Sequence, residues 1–149
     1  MVEWVVFTDP DTIKGIAERT VVWMRQAVEK APQLVPRYFP LVIGAWDMGY
    51  DCVTWSAPAL VLASAPKEAI TGMVDLTLAL SYFELAAPKL GLGTCWAGNV
   101  YGAIRASAEL REVVGLPEGH PHHYPMMVGY PKPKYTRVPE RNTPKITWK

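Results

Sequence analysis

Apolar positions along the chain follow two periods, and these divide it into elements. Val2 to Phe7 is an apolar run with few polar interruptions and predicts a strand. Asp9-Pro10-Asp11 follows it: a carboxylate cap, a proline in the first turn and an acid near the positive end of the helix dipole. Ile13, Ile16, Ala17, Val21, Met24 and Val28 then recur at three- and four-residue spacing, which predicts a helix with one apolar face, ending before Pro32. Pro32 to Ser56 reads as irregular, broken by Pro36, Pro40, Gly44 and Gly49 and anchored by Trp46, Tyr50 and Trp55. Pro58 to Ala65 is nearly all apolar and predicts a central strand.

Thr71 to Leu90 predicts the longest helix. Thr77, Ser81, Glu84 and Pro88 form one narrow polar stripe on it, and an otherwise apolar circumference should be covered. A glycine-rich loop follows, from Leu90 to Asn99. Ser107 is placed to cap a short helix that stops at Gly115, a left-handed position. Pro117 to Pro125 reads as a turn-rich connection and Pro125 to Tyr130 as a third strand. The proline-rich tail excludes a regular helix, although Ile146 to Trp148 has the composition to add a strand to a sheet edge. The order strand, helix, loop, strand, helix, helix, strand predicts a mixed α/β layer. Three strands make a thin sheet, so the loop region hides strands or another chain completes the domain.

At 149 residues the chain reads as a single domain, 1–149, able to bury roughly 70% of its unfolded surface. Its formal net charge of +1 gives no reason to expect nucleic acid. The charge is uneven, however. An extended tail from about Pro131 carries six bases and one acid, a net +5, and leaves −4 on the body. Such a tail suits an anionic ligand or a neighbouring subunit. Cys52 and Cys95 read as free thiols in a reducing, cytoplasmic setting. The start Met1-Val2-Glu3-Trp4 has no secretory pattern. The apolar run Met73 to Leu92 contains Asp75, Glu84, Pro88 and Lys89, which favours a buried helix over a membrane span.

Three constellations are candidates for chemistry. In Gly91–Asn99, glycines at 91, 93 and 98 let a flat molecule approach the backbone, with Thr94, Cys95 and Trp96 beside it. The plain alternative is a glycine-rich helix exit that packs Trp96 into the core. His120, His122 and His123 have a metal-like density, but no cysteine or acid lies at metal-site spacing, so a solvated turn is favoured and no metal is assigned. In Lys132–Arg141 the prolines hold the chain extended and Arg137 is a bidentate phosphate ligand, against the alternative of a solvated basic tail. Cys95 itself reads as a buried, inert thiol, so no catalytic side chain is assigned.

The first and third constellations occur together in one family. The chain resembles the C-terminal two thirds of the nitroreductase family of FMN-dependent oxidoreductases. The likeness runs through Val2–Pro10, Ala57–Val61, Asp75–Leu92, the string Gly93-Thr94-Cys95-Trp96-Ala97-Gly98, Gly115-Leu116-Pro117, and Gly129-Tyr130-Pro131 followed by Arg137 and Arg141. The resemblance implies an α+β nitroreductase-like fold, with a central mixed or antiparallel sheet flanked by helices, working as a homodimer with FMN at the subunit interface. It implies that Cys95, Trp96, Ala97 and Gly98 face the flavin ring, with a backbone N–H of Ala97 or Gly98 near its reactive nitrogen, and that Arg137 holds the phosphate. Tyr135 stands where the family has a second base, so Lys134 or Arg141 would substitute. NAD(P)H would be the electron donor, and a nitroaromatic, a quinone or a similar small molecule the acceptor. Family members open with an arginine- and serine-rich segment that grips FMN; this chain is expected to begin after it, as an N-terminally truncated form. A cofactor-less, non-catalytic dimeric remnant or binding module of the same fold is the alternative.

Overall fold

The computed structural model describes residues 1–132 and 140–149. Strand β1, Glu3–Phe7, leads into helix α1, Pro10–Lys30. The predicted cap forms: the Asp9 carboxylate accepts the Thr12 N–H at 2.8 Å, and Pro10 occupies the first turn, where its missing N–H costs nothing. The buried face of α1 is Ile13, Ile16, Ala17, Thr20, Val21 and Met24. Thr20 satisfies its buried hydroxyl on the Ile16 carbonyl at 2.9 Å.

The segment read as irregular holds a second helix, α2, Phe39–Asp47. Pro40 does not break it because it lies in the first turn, where no helical N–H bond is needed. Strand β2, Ala59–Ala65, is central as predicted. Helix α3 covers only Gly72–Ala86 and tightens into a 3₁₀ turn over Ala87–Leu90, where Pro88 removes a helical donor; α1, at 21 residues against 15, is the longer helix. Within the chain α3 is not covered all round: Leu76 and Leu80 are buried, but Val74, Leu78, Tyr82 and Leu85 are 58–80% exposed.

The glycine-rich segment contains the fourth strand, β3, Gly93–Trp96. Gly91, at φ +74°, turns the chain out of the 3₁₀ turn, and Thr94, Cys95 and Trp96 then extend readily. Helix α4, Gly98–Ala106, and α5, Ala108–Val113, follow. Ser107 accepts the Leu110 N–H at 3.1 Å, and Gly115 takes the expected left-handed conformation at φ +59°. Strand β4, His122–Gly129, starts three residues earlier than predicted. Ile146–Trp148 pairs with no strand among the described residues; a lone extended segment has no stability of its own.

Among the described residues the strands form one sheet in the order β1-β2-β4-β3, every pair antiparallel rather than mixed. Phe7 lies opposite Leu60, Leu60 opposite Met127, and Met127 opposite Cys95. Alternation then splits the core in two. Leu60, Leu62 and Met127 join Ile16, Val21, Val100 and Ile104 under α1 and α4. Val61, Ala63, Met126 and Val128 join Leu76 and Leu80 under α3. The result is an α+β sandwich with helices on both faces.

Candidate functional site

The sheet opens at the end where β2 and β3 begin and β4 finishes. A cleft of about 940 Å³ lies there, lined by the turn Thr54–Pro58, by Gly93, Thr94 and Cys95 of β3, by Met127–Lys132, and by Glu84 and Pro88 from the α3 side. The turn Thr54–Pro58 is shared with a second hollow of about 660 Å³ that reaches Pro10, Lys14 and Trp46. That turn is held by Asp51. Its carboxylate accepts the N–H groups of Val53 and Thr54 at 2.8 Å, that of Ser56 at 3.0 Å, and the Thr54 hydroxyl. Burial alone would push the Asp51 carboxyl up, but these donors, the Thr54 hydroxyl first among them, outweigh it and hold the group below its ordinary value.

The β3–α4 junction is set by Pro125. The Ala97 N–H donates to the Pro125 carbonyl at 3.0 Å. The N–H that would return the bond is missing from proline, and the Ala97 carbonyl instead accepts the Tyr101 N–H at 2.9 Å, the first bond of α4. Pro125 thus ends the ladder and starts the helix. Because Ala97 faces β4, antiparallel alternation turns the backbone groups of Thr94 and Trp96 toward the outer edge of β3, which pairs with no strand among the described residues. The N–H groups of Gly98, Asn99 and Val100 begin α4 without helical acceptors. A Cβ at position 98 would stand in ordinary contact, 3.6 Å from the Tyr124 hydroxyl.

The four residues singled out in this segment do not share one environment. Cys95 is exposed at the cleft, not buried, because β3 is an edge strand with no helix over that side. Trp96 points to the opposite face, as the plain helix-exit reading expected. Its indole N–H donates to Glu84 at 2.9 Å and its ring meets Tyr124 edge-on at 5.1 Å. Ala97 is buried with its N–H engaged, and Gly98 is exposed. Arg137, with Lys134 and Tyr135, lies outside the described residues; Lys132 lines the cleft and Arg141 is exposed.

Sequence reasoning missed Tyr124 and Tyr101, which stack at 4.5 Å beneath the junction. Burial first, then Tyr101 and Cys95, raise the Tyr124 phenol above its usual value, so it stays a neutral hydroxyl. The histidine segment is not a solvated turn, because β4 begins inside it. His120 bonds Ser64 at 2.9 Å through Nδ1, His122 packs against Gly72, and His123 is buried with Nδ1 donating to the Pro121 carbonyl at 3.2 Å. Burial, reinforced by Arg111 and Arg105, holds the His123 imidazole below its ordinary value and therefore neutral near pH 7. Among the described residues no group of three His, Cys, Asp or Glu is placed to hold a metal, and no helix is long and apolar enough to cross a membrane.

Solved structures share this architecture. An FMN-bound nitroreductase from Bacteroides fragilis superposes with a TM-score of 0.66 at 20% identity, covering 97% of this chain and 72% of that one. One from Desulfitobacterium hafniense, also with bound FMN, gives 0.69 at 16% identity, covering 93% and 71%. An iodotyrosine deiodinase bound to FMN and 3-iodo-L-tyrosine gives 0.62 at 20% identity, covering 99% and 77%. No curated protein matches the chain significantly. The family model described as the nitroreductase family matches residues 1–130, most of the chain. On that match and on this shared fold, the chain belongs to the nitroreductase family.

Proposed function

We propose that this protein is an FMN-dependent oxidoreductase that passes electrons from NAD(P)H to a nitroaromatic, a quinone or a similar small acceptor. The observation that carries the reading is the outer edge of β3, which pairs with no strand among the described residues, is continued by the Gly98 N–H at the start of α4, and fronts the cleft at Cys95. A flat heterocycle with acceptors along one edge suits a strand edge and a helix start that offer N–H donors. The cleft volume lies in the range of cofactor sites, roughly 300–1,000 Å³. Of the two amides the resemblance suggests, that of Ala97 is engaged by Pro125 and that of Gly98 has no partner among the described residues, so Gly98 is the donor assigned to the ring. Bound FMN would supply the hydride exchange that side chains do not provide. The chain's own part is to bind and orient: Gly98 donates, Cys95 walls the ring at the cleft, and Lys132 with Arg137 supplies positive charge for the phosphate.

The active form proposed is a homodimer. Val74, Leu78, Tyr82 and Leu85 lie four, four and three residues apart on the outer face of α3, and a contiguous apolar stripe of this kind marks an association surface.

The test is reconstitution. Protein incubated with FMN should retain flavin absorbance through gel filtration and then oxidise NADH or NADPH when 4-nitrobenzoate or menadione is added. A colourless product would remove the oxidoreductase reading and leave the binding-module alternative. Arg137→Ala should weaken FMN by about tenfold or more while leaving riboflavin nearly unaffected, since a charge-assisted bond to the phosphate is worth about 1.5–3 kcal/mol. Equal losses for the two ligands would remove Arg137 from the phosphate site.

A further inference from the structure

Trp55 occupies a position that folding does not explain. Its φ is +54° and that of Ser56 is +52°, so two successive residues with side chains lie in the left-handed region that glycine occupies freely. The indole is 70% exposed, and among the described residues it pairs with no other ring. Its backbone, by contrast, is fixed. Val53 and Thr54 on one side are buried, and Asp51 ties the turn through Val53, Thr54 and Ser56. A large ring on a rigid, strained turn, at a site where glycine would relieve the strain, points to a role outside the fold. Trp55 lines the cleft together with Pro58, Cys95, Tyr130 and Lys132.

We propose that Trp55 is the aromatic wall of the acceptor subsite, selecting a flat, electron-poor ring over a compact oxidant. This rests on the oxidoreductase reading above. The electron-rich face of indole favours offset stacking on an electron-poor ring. A turn pinned by Asp51 presents the indole with little further ordering on binding, which is where a stacking contact gains most.

The experiment compares wild type, Trp55→Phe and Trp55→Gly. Glycine accepts the local φ, so the second variant keeps the turn, and phenylalanine keeps a stacking face. Equilibrium dialysis of 4-nitrobenzoate against flavin-free and FMN-loaded protein should show binding weakened about fivefold in Trp55→Gly, with most of it retained in Trp55→Phe, as expected for one stacking contact. In the loaded enzyme the ratio of kcat/KM for 4-nitrobenzoate to that for ferricyanide should fall by a similar factor, through KM. Unchanged dialysis, an equal loss for both acceptors, or a change of oligomeric mass in place of a change in binding would each overturn the assignment. If wild type holds no FMN, the oxidoreductase reading fails while dialysis on the flavin-free protein still decides the role of Trp55.

Discussion

The two faces of the sheet are covered by helices of different kinds. On one face α1 is amphipathic in the ordinary way: its buried stripe from Ile13 to Met24 meets the core, and Lys14, Glu18, Arg25 and Glu29 face solvent. On the other face α3 is apolar on both sides. Leu76 and Leu80 are fully buried, while Leu78 and Leu85 are 64% and 80% exposed. The first face is finished by the chain itself. The second leaves its outer leucines exposed, and it is on these that the proposed homodimer rests.

The sharpest way to break this contrast is to truncate one leucine on each side of α3. Leu80→Ala should lower the stability of the folded chain by about 2–5 kcal/mol, as for a cavity in any closed core. Leu78→Ala should change the urea midpoint far less in dilute protein, because that side chain is 64% exposed. Equal costs at the two positions would mean that the outer stripe is packed within one chain.

Next in size is the effect on assembly. In a two-fold dimer each substitution acts twice, so Leu78→Asp should weaken association by about 100-fold or more. Light scattering across a dilution series reads this directly. Wild type should hold a dimer mass where the variant has become a monomer. A monomeric wild type would mean that the outer stripe of α3 is not the dimer surface.

The same contrast explains which features the sequence made legible. Helix α1 was readable because Asp9, Pro10 and the spacing from Ile13 to Met24 are all local signals. Helix α2 was not, because Pro40 has two meanings in sequence, a breaker inside a helix and a start signal in its first turn. Strand β3 was hidden by the glycines at 91 and 93, since a four-residue edge strand draws its order from β4, some thirty residues away. The pairing also decides direction. Cys95 and Trp96 were read as neighbours in one loop, but register opposite Met127 and Met126 sends them to opposite faces. The candidate site was therefore legible as a segment and illegible as a surface. Trp55 reads from the sequence as an anchor of its loop, yet its ring is 70% exposed, and no local rule predicts two left-handed residues at Trp-Ser. The Asp51-x-x-Thr54 spacing was the one available hint, as an aspartate able to bond the backbone ahead of it.

The finished face carries one cost, which a pH series should expose. His123 is buried beneath α4 and close to Tyr101, with Arg105 and Arg111 nearby, and its folded pKa lies below the unfolded value of 6.5. As pH falls through about 6.5, the unfolded chain gains a proton that the folded chain refuses, so stability declines until the folded pKa is reached. His123→Phe should flatten the stability curve in this window. Urea titrations of both proteins between about pH 5 and 7.5 measure the difference, and parallel curves would mean that His123 is not held neutral by burial.

The smallest effect has the opposite sign. Two exposed aromatic residues stand on different backbones: Tyr82 on the regular helix α3, and Trp55 on a left-handed turn. Replacing Trp55 by glycine removes a left-handed side-chain penalty of about 1 kcal/mol and gives up little buried area, since the ring is 70% exposed. The greater freedom of glycine in the unfolded chain offsets part of that gain, so the expected outcome is stabilisation of somewhat under about 1 kcal/mol. A matching exchange at Tyr82, Tyr82→Gly on the outer face of α3, should instead destabilise by about 1 kcal/mol, because a helix interior penalises glycine. Two exposed aromatic residues on one chain would then respond to the same substitution with opposite signs. If Trp55→Gly lowers the urea midpoint as Tyr82→Gly does, the indole is supporting the turn after all, and its position at the cleft follows from folding rather than from what the cleft receives.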